Sequence, residues 1–238
     1  MNPLLPGGLG LSRLRVYPWE TEDGLPGGSP HMHLTGTECY AVQSGTGRLH
    51  TLTAEGLRKV PLAAGDAVWF TPGTIHRAVN TGDLRVQIVM QNDGLPEAGD
   101  AVMTFPPEYL ESPDAYASAL SLGEGDPAER ARRRRDLAIT GFGELVAGGT
   151  EALERFYAAA VALVAGRLDE WEKAWRDKAL AAAERTGAQI DALRRGDGSH
   201  LREATVARLA APAESAFGMC GYLAPYPRER AVTPPPAT

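Results

Sequence analysis

Three of the chain's five histidines fall in two short stretches. "PHMHLTGTECYAVQSGTG" carries His31, His33 and Glu38, and "GDAVWFTPGTIHRAVN" carries His76. Residues two apart on an extended segment project to the same face, so the imidazoles of His31 and His33 point together. Glu38 follows across a short loop containing a glycine. His76 comes just after the turn Pro72-Gly73, on a later segment that can fold back beside the first pair. Three imidazoles and a carboxylate make a mixed nitrogen and oxygen donor set, suited to one divalent Fe, Mn, Ni, Zn or Cu ion. Four protein donors leave positions of an octahedral shell open to substrate, water or dioxygen.

The elements that must position these groups are short strands. "LSRLRVYP", "ECYAVQ", "GRLHTLT", "LRKVPL", "DAVWFTP", "IHRAVN" and "LRVQIVMQN" are separated by turn signals such as "SGTG", "AAGD", "PGT" and "NTGD". No helical period intervenes, so residues 12 to about 95 predict an antiparallel sandwich or barrel. From about residue 105 the texture changes. "SPDAYASALSL" and "DPAERARRRRDLAITGFGELV" open with Ser112-Pro113 and Asp126-Pro127, which are N-cap and first-turn signals. From Thr150 to about Arg195 the apolar residues Leu153, Phe156, Tyr157, Ala160, Val164, Leu168, Trp171 and Trp175 make one broad helical stripe. A single helix of that length would run roughly 65–70 Å, so a break is expected near Gly166 or near Thr186-Gly187. A shorter helix is expected over about 199–210, and a disordered tail over "VTPPPAT". The domain reading is a β module at 1–105 and an α-helical extension at 106–238.

Two motifs make the first part resemble a known family. His31, His33 and Glu38, closed by Gly45, are similar to the first motif of the cupins, and Gly65, Gly73, His76 and Asn80 are similar to the second. Two positions depart from the pattern. The opening glycine of the first motif is off register, and Pro72 stands directly before Gly73 rather than two residues before it. The resemblance covers about residues 20–95. It implies a jelly-roll β-barrel with a metal ion in its mouth, held by His31, His33, Glu38 and His76. The helical part has no such counterpart.

Other candidates follow from strand parity. Tyr40 shares the parity of Glu38, so it is expected to face the ion and is the candidate catalytic side chain. Trp69, Phe70, Gln87 and Gln91 lie on the strands that would line a substrate pocket, and alternation alone leaves open which of them face it. The run "RARRRRD" is interleaved with acids and would spread around a helix, so a solvated face paired to a partner subunit is expected.

Composition bounds the function. Hydrophobic residues at 43% and charged residues at 23% predict a packed globular protein, and a net charge of −6 argues against a nucleic-acid partner. Cys39 and Cys220 are the only cysteines, no apolar run is long enough to span a bilayer, and the first residues lack a charged region before a short broken apolar run. A cytoplasmic protein without a membrane partner is expected. The leading expectation is a metal-dependent enzyme acting on a small polar molecule, by Lewis-acid isomerase or lyase chemistry or as a ferrous dioxygenase. The alternative is a sensory protein that binds metal and a small-molecule ligand. The helical stripe looks too broad for the β module to cover, which predicts a homodimer.

Overall fold

The computed structural model describes residues 4–212 and 216–234. Nine strands form one antiparallel sheet: β1 (Gly10–Val16), β2 (His31–His33), β3 (Glu38–Thr53), β4 (Gly56–Ala63), β5 (Ala67–Phe70), β6 (Ile75–Met90), β7 (Ala101–Met103), β8 (Ala216–Phe217) and β9 (Gly221–Pro225). The main path runs β4-β3-β6-β1-β9-β8, with β5 on β3, and β2 between β6 and β7. The expected β domain followed by helices is found. Among the described residues, however, the ladders do not close into a ring, so the sheet is not a hydrogen-bonded barrel.

The two long strands β3 and β6 each join a pair of shorter strands that the sequence had separated by turns. "SGTG" and "NTGD" lie opposite each other and act as a bend: the β3–β6 register shifts between Val42 and Ser44, between Ser44 and Thr46, and between Thr46 and Gly47. Small residues there admit a bulge without ending the ladder, and a bulge sharpens twist. The sheet therefore curls, with Tyr40, Val42, Leu49, Val86 and Ile88 buried on its inner face.

The outer face of the curl is covered by helices. They are α1 (Pro113–Leu120), α2 (Pro127–Val164, interrupted at Gly149 with φ 61°), α3 (Leu168–Trp175) and α4 (Ala181–Arg194). Both predicted caps form: Ser112 accepts from the Ala115 amide at 3.2 Å and Asp126 from the Ala128 amide at 2.9 Å. The break near Gly166 is present as a 3-10 turn at Ala165–Arg167, whereas Gly187 lies within α4. The helix expected over 199–210 is only a 3-10 turn at Ser199–Glu203. Its apolar residues Leu201 and Val206 are exposed, so no buried face sustains it. Residues 235–238 of the expected disordered tail lie outside the described residues, and Val232 bridges to Arg208.

Leu153, Phe156, Ala160, Val164 and Trp171 of the stripe are buried in one cluster with Met32, Ile75, Val102, Met103 and Phe105 of the sheet region. The chain's own β region therefore covers most of the stripe, while Leu168 and Trp175 at its far end are exposed. The arginine run is only in part a solvated face: Arg130, Arg132 and Arg133 are exposed. Arg134 and Arg135 are buried, and Arg135 donates to the carbonyls of Trp19 (3.0 Å) and Glu20 (2.9 Å) and pairs with Asp136. Helix α2 lies closest to the sheet at Gly141, where a Cβ would stand 2.1 Å from the Thr104 carbonyl oxygen and 2.7 Å from the Phe105 carbonyl carbon. Both obstacles are backbone and cannot swing away. Gly141→Ala is expected to lower stability by about 1–3 kcal/mol in a denaturant titration.

Strands β8 and β9 were not legible in the sequence. β9 pairs with β1 from Ser12↔Pro225 to Val16↔Gly221, and so adds a wall beside the inner face.

Candidate metal centre

The site begins with β2. His31 and His33 are both buried on the inner face, while Met32 between them enters the core under the helices. His31 stands directly opposite His76 in the β2–β6 ladder, which fixes two imidazoles side by side, with ring centroids 4.2 Å apart. The turn before His76 is built from Thr71 to Thr74. The Thr74 amide donates to the Thr71 carbonyl at 3.2 Å, Pro72 presets its φ, and Gly73 takes φ 85°. Gly73 donates its amide to the His33 carbonyl at 3.0 Å, and its own carbonyl accepts from the Tyr157 hydroxyl at 2.9 Å. Helix α2 thus holds the turn that presents His76. Glu38, the first residue of β3, brings Oε2 to 3.1 Å from His33 Nε2 and 3.2 Å from His76 Nε2.

His31, His33, Glu38 and His76 each offer one donor atom, and these atoms all lie within 4.8 Å of one another. Each imidazole is oriented through its other nitrogen. Nδ1 of His31 lies 3.0 Å from the Ser29 carbonyl oxygen, that of His33 lies 3.0 Å from Asp100 Oδ2, and that of His76 lies 3.2 Å from the Thr74 carbonyl oxygen. With Nδ1 donating in every case, the three Nε2 lone pairs are left for an ion. Glu38 Oε2 and His76 Nε2 are buried without a well-formed hydrogen bond in the protein. Buried polar atoms ordinarily have partners, and a cation among these four donors would supply one. The donor set fits a divalent transition metal.

The electrostatics agree. Burial, with the neighbouring imidazoles, holds His31 well below the usual histidine range, so it is neutral. Burial would also depress His33, but hydrogen bonds with Asp100 and Glu38, and their charges, raise it to about 9. Burial would raise Glu38, yet the imidazoles of His33 and His76 beside its carboxylate outweigh it and hold the carboxyl below its usual range. Asp100 was not singled out from the sequence, because a lone acid in "EAGDAVM" matches no motif and its role is spatial. It is fully buried and accepts from the amides of Leu34 (3.1 Å), Thr35 (2.8 Å) and Gly36 (3.3 Å) as well as orienting His33. Asp100→Ala is expected to weaken Co(II) binding by about 10–100-fold in a calorimetric titration, with the protein still folded.

Three of the four residues, His31, His33 and Glu38, border a cavity of about 560 Å³. Its apolar wall includes Leu14, Tyr40, Ile88, Met90 and Leu223, and it is also bordered by residues of the 217–229 stretch and by Lys178. Tyr40 is fully buried and faces the cavity as parity predicted, and its hydroxyl donates to Cys220 Sγ at 3.6 Å. The four candidate pocket residues are not brought together. Phe70 is buried with its ring 4.1 Å from that of His76 and supports the site from behind. Trp69 is 68% exposed on the other face of β5. Gln87 shares the outward parity, and its amide donates to the Ser12 carbonyl at 2.6 Å. Gln91 is exposed, with its side-chain oxygen accepting from the Thr37 amide at 3.3 Å. Ile88 and Met90 alternate with these glutamines and take the inward places.

Comparison with known proteins agrees with this geometry. Residues 19–91 match the family model described as a cupin domain. Solved structures that match part of this chain include a Streptomyces Pac13 variant with uridine (18% identity, TM-score 0.29, covering 37% of this chain and 61% of that one). They also include a predicted oxalate decarboxylase from Thermotoga maritima (26%, 0.28, 34% and 63%) and a cupin protein from Bacteroides fragilis (22%, 0.24, 34% and 60%). The chain spans about three fifths of the length of these structures. No curated protein matches it.

Proposed function

From the premise that residues 19–91 are a cupin domain and the chain a member of the cupin superfamily, we propose that the protein is a metal-dependent enzyme acting on a small molecule. The observation that carries this reading is the convergence of three oriented Nε2 atoms and the Glu38 carboxylate at the inner end of a cavity. His31, His33 and His76 would hold the ion through Nε2, and Glu38 through its carboxylate. One divalent Fe, Mn, Ni, Zn or Cu ion, when bound, supplies Lewis acidity or, if ferrous, a binding place for dioxygen.

The remaining roles belong to the chain. The cavity's volume lies in the ordinary range for small-molecule sites, and its apolar wall strips water from what enters. Burial raises the Tyr40 hydroxyl well above its ordinary range, so at neutral pH Tyr40 keeps its proton and acts as a hydrogen-bond donor rather than a base. Acid and base side chains at the wall, Glu97 and the Asp93–Lys178 pair (2.9 Å), place groups that move protons on the cavity surface. They favour the Lewis-acid branch, isomerase or lyase, over the oxidative one. The oxidative branch and the sensory alternative are separated from it by experiment. Metal content of the purified protein is measured first, with about one transition-metal ion per chain expected. Turnover of a metabolite panel is then followed with and without dioxygen. Product without dioxygen uptake supports the proposal, uptake supports a dioxygenase, and tight binding without product supports a sensor.

A further inference from the structure

Two adjacent buried arginines on α2 are handled differently. Arg135 has its charge met by Asp136 and its other donors by the Trp19 and Glu20 carbonyls. Arg134, only 9% exposed, has no acidic partner among the described residues. Its Nη2 donates to the carbonyls of Gly218 (2.8 Å) and Phe217 (3.1 Å), its Nη1 reaches Leu120 only at 3.5 Å, and its Nε is buried with no partner at all. Arg134 borders the same cavity as the three metal-site residues. Among the described residues the other cation bordering the cavity, Lys178, lies 2.9 Å from the Asp93 carboxylate. An uncompensated buried guanidinium costs several kcal/mol unless an anion meets it. With both Nη2 protons given to carbonyls, the charge and the N–H groups of Nε and Nη1 remain to meet an oxygen of a carboxylate or phosphate.

We infer that Arg134 is the anion receptor of this cavity, and that the molecule bound there joins a carboxylate or phosphate group to an apolar body reaching toward the His31–His33–Glu38–His76 cluster. The inference rests on the function proposed above for the substrate's role, but anion capture itself does not require the metal. The remaining walls fit the apolar body, since Leu14, Ile88, Met90 and Leu223 line the same cavity.

The test uses full-length protein stripped of metal and follows its melting temperature with phenylacetate, phenyl phosphate and the neutral isostere phenylacetamide. One or both anions are expected to stabilise the wild-type protein saturably, at least tenfold more tightly than the amide, and the stronger of the two identifies the oxyanion. Arg134→Gln is expected to lose at least tenfold in that affinity, and Arg133→Gln, at an exposed neighbour, to lose none. Equal binding of the amide, unchanged binding by Arg134→Gln, or no anion binding at ~10 mM overturns the inference. If Arg134→Gln does not fold, the anion–amide comparison in the wild type decides alone. A parallel Co(II) titration read by visible absorption keeps the two readings apart. Anion binding without Co(II) binding sinks the metal reading, and the reverse sinks this one.

Discussion

Replacing His76 with Ala, or Glu38 with Gln, is expected to weaken Co(II) binding by a hundredfold or more while leaving the protein folded. Structural four-ligand sites in small domains bind with about 10–16 kcal/mol, so one ligand of four carries on the order of 3 kcal/mol. These two residues share the closest donor pair of the site that comes from separate long strands, β3 and β6, at 3.2 Å. Losing either would leave three of the four donors. The same titration carries a pH signature. In the ion-free protein His33 titrates at about 9, raised by Asp100 and Glu38 against the effect of burial, so at neutral pH an ion must displace its proton. Affinity should therefore climb about tenfold per pH unit from neutrality toward 9 and then level off. The ion-free fold should respond oppositely. A folded-state value above the ordinary 6.5 stabilises fully below about 6.5, and that contribution disappears as pH rises through 9. Co(II) affinity that is flat between pH 7 and 9 would contradict the proposed ligation by His33.

Residues 1–105 produced alone are expected not to hold the native fold. Met32, Ile75, Val102, Met103 and Phe105 are each no more than 3% exposed, and α2 and α3 supply the Ala138, Phe142, Leu153, Phe156 and Trp171 side chains that cover them. Truncation would also remove β9, leaving β1 with a bare edge. The measurements are near-ultraviolet circular dichroism and binding of a hydrophobic dye, with lost aromatic signal and gained dye fluorescence expected. Phe156→Ala samples the same interface in the full chain. It should cost about 3–5 kcal/mol, lowering the melting temperature by roughly 10 °C, whereas Leu168→Ala, 50% exposed, should change it little. We propose on this basis that the division near residue 105 marks a change of element type, not a boundary between units that fold separately.

The residues of the candidate metal site were readable because their constraints are local. A two-residue step fixes a shared face, and Pro-Gly before His76 fixes a turn, so His31, His33, Glu38 and His76 could be named from type and spacing. The inward placement of Tyr40 followed from the same parity. Gln87 and Gln91 could not be assigned by alternation alone, since it says that neighbours face opposite ways without saying which side is inside. What sets that is the bend opposite Gly45 and Gly82, where the register shifts. Asp100, Arg134 and the strand β9 were invisible for a different reason. Each acts across tens to hundreds of positions, as in the 67-residue separation of His33 from Asp100, and carries no local pattern. The arginine run misled because its composition reads as surface, while Arg134 and Arg135 are held inside by backbone carbonyls that only the folded chain brings near, with the charge of Arg135 met by Asp136 and that of Arg134 by no acid among the described residues.

Part of the cavity's border comes from a stretch synthesised long after the candidate ligands. Tyr17 bonds to Gly218 across 201 positions, and all four candidate ligands lie at or before His76. At about 5–20 residues per second, roughly seven to thirty seconds separate emergence of His76 from that of β9. The candidate ligands thus leave the ribosome well before the helices and the last hairpin that their surroundings need, so the four side chains converge only in the finished chain, and an ion would meet them there and not on the nascent segment.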